Sequence, residues 1–263
     1  MTHRTFACLL ALALVNVAPR AAVAADAAYH HMHLTATTPE EGAQWYIKHM
    51  DCQAVPGRPE RAKCGPIWFL FAAGTPSGPS VGSGVNHIGF SFTNLDAKVK
   101  QLEAAGIKLE GPIRDVPKLF KLGFLSDPWG TRIEIVEHPE FLGFHHIHLQ
   151  TAEPAKTLAW YANLFGGKVT KLKDMIDGVL YVGGVWLMAM PAKEPVAPTL
   201  KRAVDHLGFS FPDLDVAAKE IKAKGVTFDT EPRPLTPPSP SSVKISFVMG
   251  PDNVRIEIVE PPK

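Results

Sequence analysis

The chain has 263 residues, a formal net charge of +1, 46% hydrophobic and 20% charged residues. That is the composition of a globular protein of one or two domains. Near-neutral charge gives no basic field for nucleic acid or an anionic membrane surface, so neither is expected as a partner.

Residues 1–25 differ from the rest. His3 and Arg4 precede an apolar run from Phe6 to Val15, and Ala22-Val23-Ala24 fits the small-x-small cleavage rule. This reads as a secretory signal peptide, so the mature protein is expected to be exported, periplasmic or secreted. An N-terminal anchor helix is the alternative, although the run is short for a membrane span.

Next comes HHMHLT (His30 to Thr35), then Pro39 at a predicted helix start with Trp45-Tyr46 on the following turns. Cys52 and Cys64 flank Pro56, Gly57 and Pro59. In an oxidising compartment they read as one disulfide, or else as two free thiols. IWFLFA (Ile67 to Ala72) is strand-like; VNHIGFSF follows, with Asn94 as cap of the helix LDAKVKQLEAAG. DPWGTRIEIVE ends at Glu137. The same series then runs again: HHIHLQ (His145 to Gln150), a helix from Pro154 with Trp160-Tyr161, VGGVWLMAM, VDHLGFSF, a helix capped by Asp213, and RIEIVE ending at Glu260. Proline-rich stretches at 191–198 and 232–240 read as loops.

The recurrences define a repeat. VNHIGFSFTNLD matches VDHLGFSFPDLD, HHMHLTATTPEEGAQWY matches HHIHLQTAEPAKTLAWY, and RIEIVE occurs twice. Two units result, 26–139 and 141–263, each of two halves: 29–72 and 85–138, then 141–192 and 203–260. Every half reads as strand, helix, then several short strands.

Strand alternation sorts the faces. In HIGFSF, His87, Gly89 and Ser91 oppose Ile88, Phe90 and Phe92; in HLGFSF, His206, Gly208 and Ser210 oppose Leu207, Phe209 and Phe211. The aromatic face must pack on the helix, leaving the histidines on the concave side. By the same count His31, His33, His146 and His148 point inward, while His30 and His145 stand at exposed strand starts. Glu134 and Glu257 face inward. Glu137 and Glu260 fall at solvated strand ends.

The histidine-bearing first strands and DPWGTRIEIVE resemble the vicinal oxygen chelate superfamily: the glyoxalase, bleomycin-resistance and extradiol dioxygenase group. The resemblance covers the whole chain after the leader. It implies an α+β fold of four βαβββ modules paired into two cup-shaped mixed β-sheets, one cup per unit. It also implies a divalent metal ion held by the first-strand histidines and a last-strand glutamate. In this chain these are His31, His87 and Glu134 in the first unit, and His146, His206 and Glu257 in the second. Such a set suits Fe(II), Mn(II), Zn(II) or Ni(II) and leaves positions open for a ligand.

Departures from the family pattern narrow the chemistry. IWFLFA and VWLMAM carry no carboxylate for a two-histidine, two-glutamate glyoxalase site. Phe124 and Phe247 stand where extradiol enzymes have tyrosine, and Gly250 replaces an aspartate. What remains is chelation of adjacent oxygens on a small oxygenated molecule by a lyase, isomerase or dioxygenase, with His33 and His148 as proton-transfer candidates. An Fe(II) dioxygenase and a non-catalytic binding protein of the bleomycin-resistance kind are the rival expectations. The protein is expected to be a monomer or homodimer.

Overall fold

A computed structural model describes residues 27–235 and 243–262. The signal peptide expected over residues 1–25 and most of the 232–240 proline stretch lie outside the described residues. The first module comprises β1 (Ala28–Ala36), α1 (Pro39–His49), β2 (Gln53–Ala54), β3 (Arg61–Cys64) and β4 (Ile67–Ala73). The second comprises β5 (Val85–Phe92), α2 (Leu95–Ala104), β6 (Arg114–Asp115), β7 (Lys121–Ser126) and β8 (Arg132–Glu137). The third comprises β9 (Gly143–Thr151), α3 (Pro154–Phe165), β10 (Lys168–Leu172), β11 (Ile176–Leu180) and β12 (Trp186–Pro191). The fourth comprises β13 (Val204–Ser210), α4 (Leu214–Ala223), β14 (Phe228–Pro234), β15 (Lys244–Met249) and β16 (Arg255–Glu260). Each is a βαβββ module.

The helices begin where capping chemistry starts them. Pro39 and Pro154 occupy the first turns of α1 and α3. Asn94 and Asp213 accept from the backbone N–H of Ala97 and Val216, satisfying a donor that α2 and α4 would otherwise leave bare. Glu137 and Glu260 are not merely solvated strand ends. Their carboxylates accept from the N–H of Leu95 and Leu214, at 2.9 and 3.0 Å. A negative charge at a helix N-terminus is favourable there, and the bond ties each last strand to its module's helix.

The modules form two eight-stranded sheets, β14-β15-β16-β13-β1-β4-β3-β2 and β10-β11-β12-β9-β5-β8-β7-β6. The expectation of one cup per sequence unit is therefore corrected. The first sheet joins modules one and four; the second joins modules two and three. The seams are antiparallel, β1 on β13 and β5 on β9. Within each module the first strand pairs in parallel with the last. Sequence repetition shows which modules are alike. Which edges meet is decided by backbone pairing, which leaves no side-chain signature.

The apolar faces of both sheets share one core. Met32, Leu34, Ile88, Phe90, Ile147, Leu149, Leu207 and Phe209 are all buried in it. Phe144 of β9 packs on Phe69 of β4 with ring centroids 5.1 Å apart, so the core crosses between sheets. Tyr46 of α1 donates to the buried Asp127 at 2.8 Å, and that carboxylate also accepts from the N–H groups of Trp129 and Thr131. Asp127 thus braces the turn before β8. The histidine-bearing faces lie on the opposite side of each sheet from this core.

Cys52 and Cys64 are joined as a disulfide. It closes the loop that carries Arg58 and Arg61. Among the described residues, no helix is long and apolar enough to cross a membrane.

Candidate metal centres

Because the sheets pair across units, so do the inward side chains. His31 and His33 of β1 meet His206 of β13 and Glu257 of β16; His146 and His148 of β9 meet His87 of β5 and Glu134 of β8. In each group the nearest ligand atoms all lie within 4.8 Å of one another. The residue types expected from the sequence are present, but the partnerships differ. His31 does not share a site with His87 and Glu134, and His146 shares one with them instead of with His206 and Glu257. We call the group on the first sheet centre one and that on the second centre two.

Geometry at centre one is tight. Glu257 Oε2 lies 2.9 Å from His206 Nε2 and 3.3 Å from His31 Nε2, and His33 Nδ1 lies 3.1 Å from His206 Nε2. At centre two Glu134 Oε2 lies 3.1 Å from His87 Nε2 and 3.0 Å from His146 Nε2. His33 and His148, singled out for proton transfer, thus stand inside the donor clusters.

Two glycines make room for these rings. A Cβ on Gly208 would lie 2.1 Å from His31 Cε1, and one on Gly89 would lie 2.0 Å from His146 Cε1. The imidazole from the neighbouring strand sits directly over bare backbone. The His-x-Gly spacing of HIGF and HLGF is the sequence trace of that packing.

Four β-bulges shape the clusters. Tyr29 pairs with Phe209 and His31 with Gly208, leaving His30 as an extra residue; β9 has the same irregularity at His145. A bulge interrupts strict alternation. His30 and His145 are therefore not exposed strand starts: they turn to the metal-site face, where His30 Nδ1 meets His31 Nδ1 at 2.9 Å and His145 Nδ1 meets His146 Nδ1 at 2.8 Å. His145 is fully buried and continues to His138 Nδ1 at 2.9 Å. The other two bulges fall at Asn86 and Asp205. Asn86 Oδ1 lies 2.9 Å from His87 Nδ1, whereas Asp205 Oδ1 lies 2.5 Å from His206 Nδ1. The doubled HH and the polar residue directly before His87 and His206, in NH and DH, are the signals available in the sequence.

Electrostatics keep both carboxylates and His33 in the forms that a cation would bind. Burial alone would raise Glu257 and Glu134, but their histidine partners outweigh it and hold both carboxylates ionised, well below the usual range. Burial, aided by His206 and His31, lowers His33 to about 3, so its ring is neutral. At His206 the burial effect is overcome by Asp205 and Glu257, which raise it; at His87, beside neutral Asn86, burial prevails and lowers it.

The donor sets fit a metal ion. Among the described residues, His31 Nε2 and His146 Nε2 are buried without a well-formed hydrogen bond, although carboxylate oxygens lie 3.3 and 3.0 Å away. Leaving such atoms unsatisfied is costly, and a shared cation would satisfy them together with the carboxylate. Three imidazoles and one carboxylate suit a first-row divalent ion. Asp205, His206 and the ion would form a carboxylate–histidine–metal line, which fixes the ring and raises its basicity. Beside the clusters, β4 presents Leu70 opposite His33 and β12 presents Met188 opposite His148, so no second carboxylate joins from those strands.

Phe124 and Phe247 set their rings edge-on to His87 and His206, at 5.3 and 5.4 Å. Arg132 and Arg255 cover the outer faces of these phenyl rings at 3.9 and 3.6 Å. Hydroxyl chemistry from these positions is absent because the side chains are phenylalanine.

Paired βαβββ modules with inward histidines and a last-strand glutamate define a glyoxalase-type scaffold with two candidate metal centres. The profile of the Glyoxalase/Bleomycin resistance protein/Dioxygenase superfamily matches residues 14–135 and 143–258, and the chain belongs to that superfamily. Glyoxalase I from Zea mays is a structural neighbour, with TM-score 0.67 and 14% identity, covering 89% of this chain and 92% of that one. Its V278E mutant gives 0.69 and 15%, with the same coverage. A protein from Bacillus subtilis subsp. subtilis str. 168, provisionally described as a dioxygenase, gives 0.61 and 17%, covering 89% of this chain and 86% of that one. At these identities the likeness is one of fold. No curated protein matches the sequence.

Proposed function

We propose that the protein is an exported, divalent-metal-dependent enzyme that acts on a small molecule bearing adjacent oxygens, by lyase, isomerase or dioxygenase chemistry. The observation that carries this reading is the buried Nε2 of His31, which makes no well-formed hydrogen bond among the described residues, lies 3.3 Å from Glu257 Oε2 and is grouped with the ligand nitrogens of His33 and His206 within 4.8 Å. A bound ion would act as a Lewis acid, polarising a chelated oxygen and stabilising negative charge that develops on it.

The chain's own groups do the rest. His31, His33, His206 and Glu257 hold the centre, and Asp205 keeps the proton of His206 on Nδ1. His30, hydrogen-bonded to His31, orients that ring and also lines the cavity beside centre one. Phe247 and the arginine over it keep water from one side of His206. Fe(II), Mn(II), Zn(II) and Ni(II) are all compatible with the donor set.

Metal analysis of the mature protein, with turnover of a panel of 2-hydroxy acids, 2-oxo hemithioacetals and catechols before and after chelation, tests the proposal. Co-purifying metal and chelator-sensitive turnover support it. Metal-free protein that binds ligand unaffected by chelator would replace it with the sequestering reading, which the apolar wall of the cavity favours.

A further inference from the structure

The two centres have nearly the same donors but different surroundings. Beside centre one lies a cavity of about 470 Å³, with His31 and Glu257 at its floor. Trp68, Leu70, Ile245 and Val259 form its wall, and Arg58 and Arg61 stand at its edge. Trp68 and Leu70 are only half-buried.

Their counterparts in the second sheet are Trp186, Met188, Leu122 and Val136. With Phe120 and Leu172 they pack into one cluster, and every member is at most 9% exposed. The third strand of each module explains the difference. In β3, Arg61 stands opposite Leu70 and Lys63 opposite Trp68. In β11, Gly178 stands opposite Met188 and Leu180 opposite Trp186. The first wall is thus backed by cations, with Lys63 Nζ 4.2 Å from the Trp68 ring, where the second is backed by uncharged Gly178 and Leu180.

Arg58 and Arg61 both donate to Glu60, at 2.8 and 3.2 Å, so one carboxylate holds two guanidinium groups at the cavity edge. The positive charge there exceeds the negative. The Cys52–Cys64 disulfide closes the loop that presents them.

We propose that only centre one serves a substrate, and that its ligand is an anion with an apolar, ring-sized body and adjacent oxygens for chelation. Centre two, beside that packed cluster and with only His148 of its donors partly exposed, holds its ion as a structural site. The inference rests on the metal-dependent reading above and deepens it.

The test uses the Mn(II)-loaded mature protein, water-proton relaxation and mandelate, which combines an aromatic ring, a carboxylate and a neighbouring hydroxyl. Relaxation enhancement reports ions that exchange water with solvent. Glu257→Gln is expected to abolish most of the enhancement and Glu134→Gln to keep it, and mandelate is expected to quench it in wild type and in Glu134→Gln. Equal losses in the two variants, or a larger loss in Glu134→Gln, would overturn the proposal. If either variant does not fold, Arg61→Ala decides. Loss of one charged partner should raise the mandelate Kd about tenfold with the ligand-free relaxation unchanged; an unchanged Kd overturns the assignment. Wild type that binds no Mn(II) sinks the metal-dependent reading and this inference with it. Mn(II) bound with both centres equally wet sinks this inference alone.

Discussion

Gly208→Ala probes the site without touching a ligand. The added Cβ would stand 2.1 Å from His31 Cε1, 2.2 Å from Nδ1 and 2.4 Å from Nε2. Ordinary carbon contacts begin near 3.4 Å, so the ring must retreat by about 1.3 Å. Metal–nitrogen bonds tolerate about 0.2 Å, and a ligand displaced this far is lost from the coordination sphere. The ring cannot simply tilt, because His30 holds Nδ1 at 2.9 Å and Met32 anchors the next residue in the core. We expect a fall of about 100-fold in affinity at centre one, about 2.7 kcal/mol. Overpacking should add about 1–3 kcal/mol of lost fold stability. Titration of apoprotein with Mn(II) by calorimetry, beside Gly89→Ala for centre two, reads both. An unchanged affinity at centre one in a folded Gly208→Ala protein would refute the claim that His31 coordinates from its position over the bare backbone.

Other expectations follow from single contacts. Asp205→Asn gives centre one the amide that Asn86 provides at centre two and should weaken its metal binding about tenfold, measured by competition with a chromogenic chelator. Cys52→Ser should destabilise the fold by about 2–4 kcal/mol, read as a lower denaturant midpoint, and loosen the arginine-bearing loop. Glu260→Ala removes the acceptor at the start of α4 and should cost about 1 kcal/mol, visible as a lower Tm. Metal retention should fall as pH drops, because the ions require neutral imidazoles and ionised carboxylates and protons compete for both; dialysis across pH 4 to 8 with metal analysis measures it. Retention unaffected by acid would mean that the metal is held elsewhere.

Much of the scaffold was legible. The recurrence of HIGFSF and HLGFSF, the capping residues Asn94 and Asp213, and the alternation that turned His87 and Glu134 away from Phe90 and Ile135 all act locally, so they leave local traces. Pairing between modules did not. β1 could meet β5 or β13 with the same apolar face buried, and backbone ladders do not record the choice. Bulges were the second hidden element. Counting by twos from Met32 sent His30 outward, yet one extra residue brings it behind His31, and the same slip buries His145. A strand-end carboxylate such as Glu137 or Glu260 looks solvated in sequence until the helix N-terminus that it caps is in place.

The central claim is that two ions are held by donors drawn from opposite halves of the chain. Metal stoichiometry of three variants tests it most directly. His31→Ala should lose one of two ions. Adding Glu257→Gln should change nothing further, since both serve the same ion, whereas adding Glu134→Gln should remove the second. If His31→Ala with Glu134→Gln retains one ion while His31→Ala with Glu257→Gln retains none, the centres are built within the sequence units and the account is wrong.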